Sequence, residues 1–181
     1  MSTFQLPRRL VLVRHAKSSW ESDAVRDVDR PLAPRGEAAT PGVASYLDER
    51  NLVPEWVLCS PAVRTRRTWA LIRPALDVPP TEVFDPALYL GSARTLLTRI
   101  GEVPPRVSTV MLIGHNPGLQ DLAAELATRA DPGVGEAVAA KFPTAAVLAL
   151  EYDCASWAAI DGAPARLLGW RTPKGREPGE F

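Results

Sequence analysis

The chain of 181 residues contains two histidines, and each directly follows an apolar run. Leu10-Val11-Leu12-Val13 leads into Arg14-His15, and Met111-Leu112-Ile113 leads into Gly114-His115. Apolar runs of this kind, cut off by polar or small residues, read as strands buried on both faces. A single strand-end histidine is commonly a structural residue. Two at equivalent places, on strands able to lie parallel, put both imidazoles at the carboxyl edge of a sheet, where open α/β sheets bind ligands. Ser60-Pro61 and Asn116-Pro117 also follow strand-like stretches, and each pair reads as a helix N-cap with proline at the first helical position. Helix N-termini at that edge offer free N–H groups and a positive dipole end to an anion. Arg64 falls in the first turn of one such helix. Alone it reads as a surface arginine beside Arg66 and Arg67; together with Arg14 it can grip phosphate oxygens in bidentate fashion.

These residue types favour one chemistry. Two arginines and two histidines around an anion site, with no glycine-rich phosphate loop and no acidic metal cluster, fit phosphoryl transfer to an imidazole better than metal-assisted hydrolysis. Two histidines without a neighbouring cysteine or carboxylate fall short of a zinc ligand set, so neither a metal nor a cofactor is expected. Composition agrees with a local rather than a global anion site. Lys and Arg balance Asp and Glu at 21 each, so no net field draws the whole chain to nucleic acid or to an anionic membrane. Cys59 and Cys154 form no metal spacing and no disulfide framework, and read as incidental thiols in a reducing compartment. The N-terminus has no apolar signal region and no apolar run nears the length of a membrane span, so a soluble cytoplasmic protein is expected.

The elements that must position these groups alternate strand and helix. After the first strand, Trp20 to Arg35 is polar and rich in aspartate and reads as a loop. Ala39, Val43, Tyr46 and Leu47 lie on one helical face, and the helix starts either at Thr40 with Pro41 in its first turn or earlier, at Pro34, with Pro41 inside it. Trp56 to Cys59 is a second strand. The helix after Ser60 turns Thr68, Leu71, Ile72, Ala75 and Leu76 inward and closes at Pro79-Pro80; Val83-Phe84 is a short extended piece. Ser92 caps a helix with Leu96, Leu97 and Ile100 inward, Val107 to Ile113 is the third clear strand, and Leu119, Leu122, Ala123 and Leu126 mark the helix after it. Ala145 to Leu150 and Ala165 to Trp170 are two further strands. At 181 residues and 46% hydrophobic, this gives one domain over residues 1–171, a three-layer α/β/α sandwich with a mostly parallel, mixed central sheet, followed by a disordered tail over residues 172–181.

The motifs in this order resemble a known family. Arg14-His15-Ala16, Arg30-Pro31-Leu32 with Arg35-Gly36, Ser60-Pro61-x-x-Arg64 with Thr68, and Gly114-His115-Asn116-Pro117 resemble the histidine phosphatase (phosphoglycerate mutase-like) superfamily, and in particular its small SixA-like phosphohistidine phosphatases. The resemblance covers roughly Leu10 to Leu150. It implies a phosphoglycerate mutase-like fold, His15 as nucleophile, and Arg14, Arg64 and His115 on the phosphoryl group, with Ser18 and Arg30 at polar positions near the pocket. Ala16 stands where glycine is usual and Arg67 where glutamine is common.

Larger members of that superfamily carry a carboxylic acid that protonates the leaving group, either in the segment matching about Asp85 to Ser92 or directly after the second histidine. Here the second position is Asn116. Asp85, Glu82 and the Asp23 to Asp29 loop are the remaining candidates. An alkoxide leaving group gains on the order of 10²–10⁴ in rate from a general acid. Phosphohistidine protonated on its free ring nitrogen can instead leave as neutral imidazole. The expectation is therefore a metal-independent phosphatase with a phosphohistidine enzyme intermediate, acting on a phosphorylated substrate such as a phosphohistidine-carrying protein. A small-molecule phosphomonoesterase of the same superfamily and a phosphate- or phosphopeptide-binding module without turnover are the alternatives.

Overall fold

The computed structural model describes residues 7–76 and 78–173. The tail expected from residue 172 thus lies, from residue 174 on, outside the described residues. Six strands form one sheet in the order β3-β2-β4-β1-β5-β6: β1 (Arg8–Arg14), β2 (Trp56–Cys59), β3 (Thr81–Phe84), β4 (Thr109–Gly114), β5 (Val147–Tyr152) and β6 (Ala165–Arg171). β1 to β4 run parallel to one another, β5 pairs antiparallel with β1, and β6 pairs antiparallel with β5 at the edge. The sheet is mixed, as expected.

Strand alternation sorts the core into two layers. Leu10, Leu12, Leu58, Val110, Leu112, Leu148 and Leu150 face α3 (Ala93–Gly101), α4 (Gly118–Ala130) and α5 (Pro132–Ala140), which contribute Leu96, Ile100, Leu122, Leu126 and Val138. Val11, Val13, Val57, Cys59, Met111 and Ile113 face α1 (Pro34–Glu49) and α2 (Val63–Ile72), which contribute Val43, Leu47, Trp69 and Ile72. Leu10 to Val13 are fully buried, and each such side chain contributes about 1.5–3 kcal/mol by leaving water. That burial fixes the register of the central strands and with it the position of the residues at their ends.

For α1 the structure takes the earlier of the two starts expected, while later helices depart from expectation for local chemical reasons. α1 begins at Pro34 and runs through Pro41. Pro41 has no N–H for the Glu37 carbonyl, but the Thr40 hydroxyl donates to that oxygen at 2.7 Å, so the defect is repaired in place. α2 ends at Ile72 and continues only as a 3-10 turn over Arg73–Ala75. Ala75, expected inward, is therefore exposed. α5 was not anticipated, although Asp131-Pro132 carries its signature: the Asp131 carboxylate accepts from Val134 N at 3.1 Å and Pro132 opens the helix.

Two corrections bear on the site. Ser60 and Asn116 are not helix caps. α2 starts at Val63 with Ala62 before it, α4 starts at Gly118 with Pro117 before it, and neither flanking residue supplies a side-chain cap bond. Ser60 and Asn116 follow the strand ends instead: the Ser60 hydroxyl meets His115, and the Asn116 amide donates to the Phe142 carbonyl that also holds Arg14.

Candidate active site

β1, β4 and β2 are adjacent, and their carboxyl ends deliver Arg14-His15, Gly114-His115 and Ser60 to one edge. Backbone pairing continues past the strands: His15 N donates to Gly114 O at 3.2 Å and Ser60 N to Ile113 O at 3.1 Å. The loop after β1 is pinched by a bridge between Ser18 and Leu32, and Ala33 N donates to Lys17 O at 2.8 Å. Gly36 lets α1 pack directly on this turn, since a Cβ there would run into the Lys17 carbonyl. The residues between form a flap, with a 3-10 turn at Asp27–Asp29, beside a cleft of about 330 Å³ lined by Arg14, His15, Ser18, Arg30, Arg64 and His115. All the site residues expected from the sequence are thus brought together. Lys17, Trp20, Asp27, Leu90, Asn116 and Thr144 also line the cleft.

His15 lies at the floor, 7% exposed. Its Nδ1 is 2.7 Å from the Ala16 carbonyl oxygen. Only a protonated Nδ1 can bond to that acceptor, so the neutral ring carries its lone pair on Nε2. The Ala16 backbone is held from α2: its N–H donates to Thr68 Oγ1 at 3.0 Å, and that hydroxyl donates to Arg64 O at 2.7 Å. Burial lowers the His15 pKa to about 4; Arg64, Arg14 and Arg30 push the same way, and the bond to Ala16 O opposes them.

His115 is held differently. Its Nε2 lies 2.7 Å from Ser60 Oγ, while its buried Nδ1 has no hydrogen-bond partner among the described residues. The rings of His15 and His115 are 5.1 Å apart between centroids. Burial, then the neighbouring His15 and Arg64, lower the His115 pKa to about 3. Both imidazoles are therefore neutral at pH 7.

The arginines are fixed by the walls. Arg14 Nη1 donates to Phe142 O at 2.9 Å, and Asn116 Nδ2 donates to the same carbonyl at 3.0 Å. Burial and Arg64 lower the Arg14 pKa from its high ordinary value. Arg30 donates to Ser18 Oγ at 2.9 Å and to Ser19 O at 3.0 Å, and its guanidinium lies 3.4 Å from the centroid of the Trp20 ring. Arg64 is 4% exposed and donates to Asp27 O at 2.7 Å and to Asp27 Oδ2 at 2.9 Å. Arg67, by contrast, pairs with Glu37 at 2.8 Å on the surface and does not line the cleft.

Among the acid candidates, Asp85 and Glu82 are engaged elsewhere. Asp85 accepts from Ala87 N at 2.8 Å and pairs with Arg99 at 3.1 Å, and Glu82 pairs with Arg73 at 3.1 Å. Within the Asp23 to Asp29 loop, Asp27 lines the cleft. Its carboxylate accepts from Tyr89 Oη at 2.7 Å, Arg30 Nη1 at 3.0 Å and Arg64 Nη2 at 2.9 Å. The Tyr89 bond, followed by those to the two arginines, lowers its pKa to about 2. Sequence reasoning missed Tyr89, which also stands edge-on to His115 at 5.5 Å. It lies in the very segment searched for an acid, but a tyrosine 62 residues from its partner leaves no local pattern. Among the described residues, no group of three or more His, Cys, Asp and Glu could hold a metal ion, and no helix is long and apolar enough to cross a membrane.

Comparison with known proteins places this geometry. The pattern of the histidine phosphatase superfamily (branch 1) matches residues 10–86. An uncharacterized protein of Mycobacterium tuberculosis strain H37Rv is 34% identical over 164 residues, spanning 90% of this chain and 100% of the relative. Another uncharacterized relative, chloroplastic, from Arabidopsis thaliana, is 34% identical over 67% of this chain and 60% of its own length. A structure provisionally named a SixA phosphohistidine phosphatase from Nakamurella multipartitia superposes with a TM-score of 0.80 at 29% identity, covering 92% of this chain and 96% of that one. A similarly named structure from Agrobacterium tumefaciens gives 0.78 at 28% identity, covering 92% and 99%. A glucosyl-3-phosphoglycerate phosphatase of mycobacteria, at 18% identity and a TM-score of 0.60 over 89% of this chain and 97% of that one, shares the fold. The chain belongs to the histidine phosphatase superfamily, branch 1, and its structure is SixA-like.

Proposed function

We propose that this protein is a metal-independent phosphatase that works through phosphorylated His15 and acts on nitrogen-linked phosphoryl groups, phosphohistidine in proteins above all. His15 Nε2, with Nδ1–H on the Ala16 carbonyl, attacks phosphorus in line. Arg14, Arg64 and Arg30 surround the transferring oxygens with positive charge, and His115 contacts the phosphoryl group through its imidazole. Water then hydrolyses the phosphohistidine enzyme, returning the lone pair to Nε2. Ser18 lines the cleft and holds Arg30 through its hydroxyl oxygen, which leaves the hydroxyl proton to donate to the substrate.

The observation that carries the substrate class is the state of Asp27. It is the carboxylate of the cleft, and three donors keep it ionised. It has no proton to give an alkoxide, which a serine or sugar phosphate needs in order to leave rapidly. A phosphoryl group on a protonated imidazole leaves without that help. The SixA-named structural neighbours support the same substrate class. The test compares hydrolysis of phosphohistidine with that of phosphoserine and a sugar phosphate by the purified protein. The reading expects a kcat/KM for phosphohistidine at least about 10²-fold above the esters, the low end of what a general acid supplies. Faster turnover of the esters would overturn it in favour of a phosphomonoesterase, and absence of all turnover would leave a phosphate-binding module.

A further inference from the structure

Asp27 poses a physical problem that its bonds to the arginines do not solve. Arg14, Lys17, Arg30 and Arg64 make the cleft cationic, as a phosphoryl site requires, and a fixed carboxylate among them opposes the anion they attract. Holding a guanidinium in place does not need a charge. Arg14 is held by the Phe142 carbonyl and Arg30 in part by the Ser19 carbonyl. The Asp27 charge offsets Arg30 and Arg64, and its half-exposed side is also open to a positive group of the substrate.

Geometry says where that would be. His15 is 7% exposed at the floor, whereas the Asp27 side chain is 45% exposed and is bonded to Tyr89. In-line displacement sends the leaving group away from the nucleophile, hence from the floor toward the opening beside Asp27. A carboxylate has about four acceptor positions. Oδ2 takes Tyr89 and Arg64, and Oδ1 takes Arg30, which leaves one on Oδ1.

We infer that Asp27 is the specificity-determining residue of this site: its carboxylate accepts the N–H of a positively charged nitrogen leaving group and so selects phosphoramidates over oxygen-linked donors. The inference rests on the phosphatase reading above. In the step itself, the His15 Nε2 lone pair forms the new P–N bond while the old P–N bond breaks. The electron pair of the broken bond stays on the departing nitrogen. A protonated phosphohistidine keeps its proton on the other ring nitrogen and leaves as neutral imidazole; protonated phosphoramidate leaves as ammonia. Asp27 takes no proton. It offers a hydrogen bond to the cationic ground state and its transition state, and nothing to an oxygen leaving group.

Two small donors carrying the same phosphoryl group separate these roles: phosphoramidate, with a cationic nitrogen, and acetyl phosphate, with an uncharged oxygen linkage. Asp27→Asn should lower kcat/KM for phosphoramidate by about 30-fold more than for acetyl phosphate, the scale of a lost charged hydrogen bond, on top of whatever loss both donors share through Arg30 and Arg64. Asp27→Glu should recover part of the phosphoramidate activity. Orthovanadate, which carries no nitrogen leaving group, should lose no more affinity for Asp27→Asn than acetyl phosphate loses in kcat/KM. Equal losses on both donors, or vanadate binding weakened in step with phosphoramidate activity, would show that Asp27 only shapes the clamp and would overturn the inference. A wild-type protein that hydrolyses esters but not phosphoramidate would overturn the function reading itself, and does so before any variant is made.

Discussion

β1 and β4 lie side by side and parallel, Arg14 stands opposite Gly114 in the register, and each strand hands a histidine to the turn that follows. From that common start the two rings are secured in different ways. His15 is tied through Nδ1 to the carbonyl of the next residue, whose backbone is itself pinned to Thr68 on α2. His115 is tied through Nε2 to a hydroxyl, Ser60, at the end of β2. A carbonyl can only accept, so it forces one tautomer and leaves a lone pair on the opposite nitrogen of His15. A hydroxyl can donate or accept, so His115 keeps either tautomer available. The first arrangement suits a nucleophile that must always present a lone pair. The second suits a group that adjusts its proton to the charge of the phosphoryl oxygens. Two histidines that are equivalent by sequence position differ because of what each ring's second contact allows.

Removing each ring is the strongest way to break this comparison. His15→Ala should reduce phosphohistidine turnover by about 10⁴-fold or more, the usual scale for a lost nucleophile. His115→Ala should cost about 10²-fold, as for one lost oxyanion contact. Comparable losses for the two variants in steady-state kinetics would erase the division of labour. Among the arginines, Arg64→Ala should cost about 10²–10³-fold, whereas Arg66→Ala, on an exposed residue outside the cleft lining, should change turnover less than about twofold. Equal effects would mean the clamp is misassigned.

Much of this was legible in the sequence, and what was not has a physical explanation. Strands buried on both faces announce themselves as continuous apolar runs, so β1, β2 and β4 and the residues at their ends could be read directly. That sufficed to bring Arg14, His15 and His115 to one edge; Arg64 was drawn in by its place just after Ser60-Pro61 and by the family resemblance. Ser60 and Asn116 were misread as caps because the small polar residues that cap helices are the same ones that orient ligands at strand ends. The choice between those roles depends on distant partners, His115 for Ser60 and the Phe142 carbonyl for Asn116, which no local pattern records. Asp27 lay inside a loop with several aspartates, and nothing in its neighbours distinguished it. Its selection comes from Arg64, 37 residues away, and Tyr89, 62 residues away. Long-range side-chain contacts of that kind are set by the fold, while periodicity reports only the face an element turns inward.

A smaller effect sharpens the comparison by pH. An isolated imidazole titrates near 6.5, while burial and the arginines lower His15 to about 4 and His115 to about 3. In the unfolded chain both groups bind protons first on acidification, so their contribution to stability is present above pH 6.5 and is lost as pH falls toward 4 and then 3. With two histidines in the chain, NMR titration of the ring signals follows each one directly. Midpoints near 4 and 3 are expected without ligand, and an upward shift of His115 exceeding that of His15 is expected with inorganic phosphate. Midpoints near 6.5 would mean the cleft is far wetter and less cationic than described. Ser60→Ala should then cost only about threefold to tenfold in kcat, with KM little changed, because it loosens a ring that Tyr89 still flanks.

The central claim is that His15 carries the phosphoryl group on Nε2 because Nδ1 is committed to the Ala16 carbonyl. Phosphohistidine is labile in acid, so the decisive measurement is an alkaline quench during turnover of phosphoramidate, followed by ³¹P NMR and peptide mapping of the trapped protein. The account predicts phosphorus on His15 at Nε2 in wild type and none in His15→Ala. Phosphorus on Nδ1 or on His115, or brisk turnover with no phosphorylated histidine trapped, would contradict it.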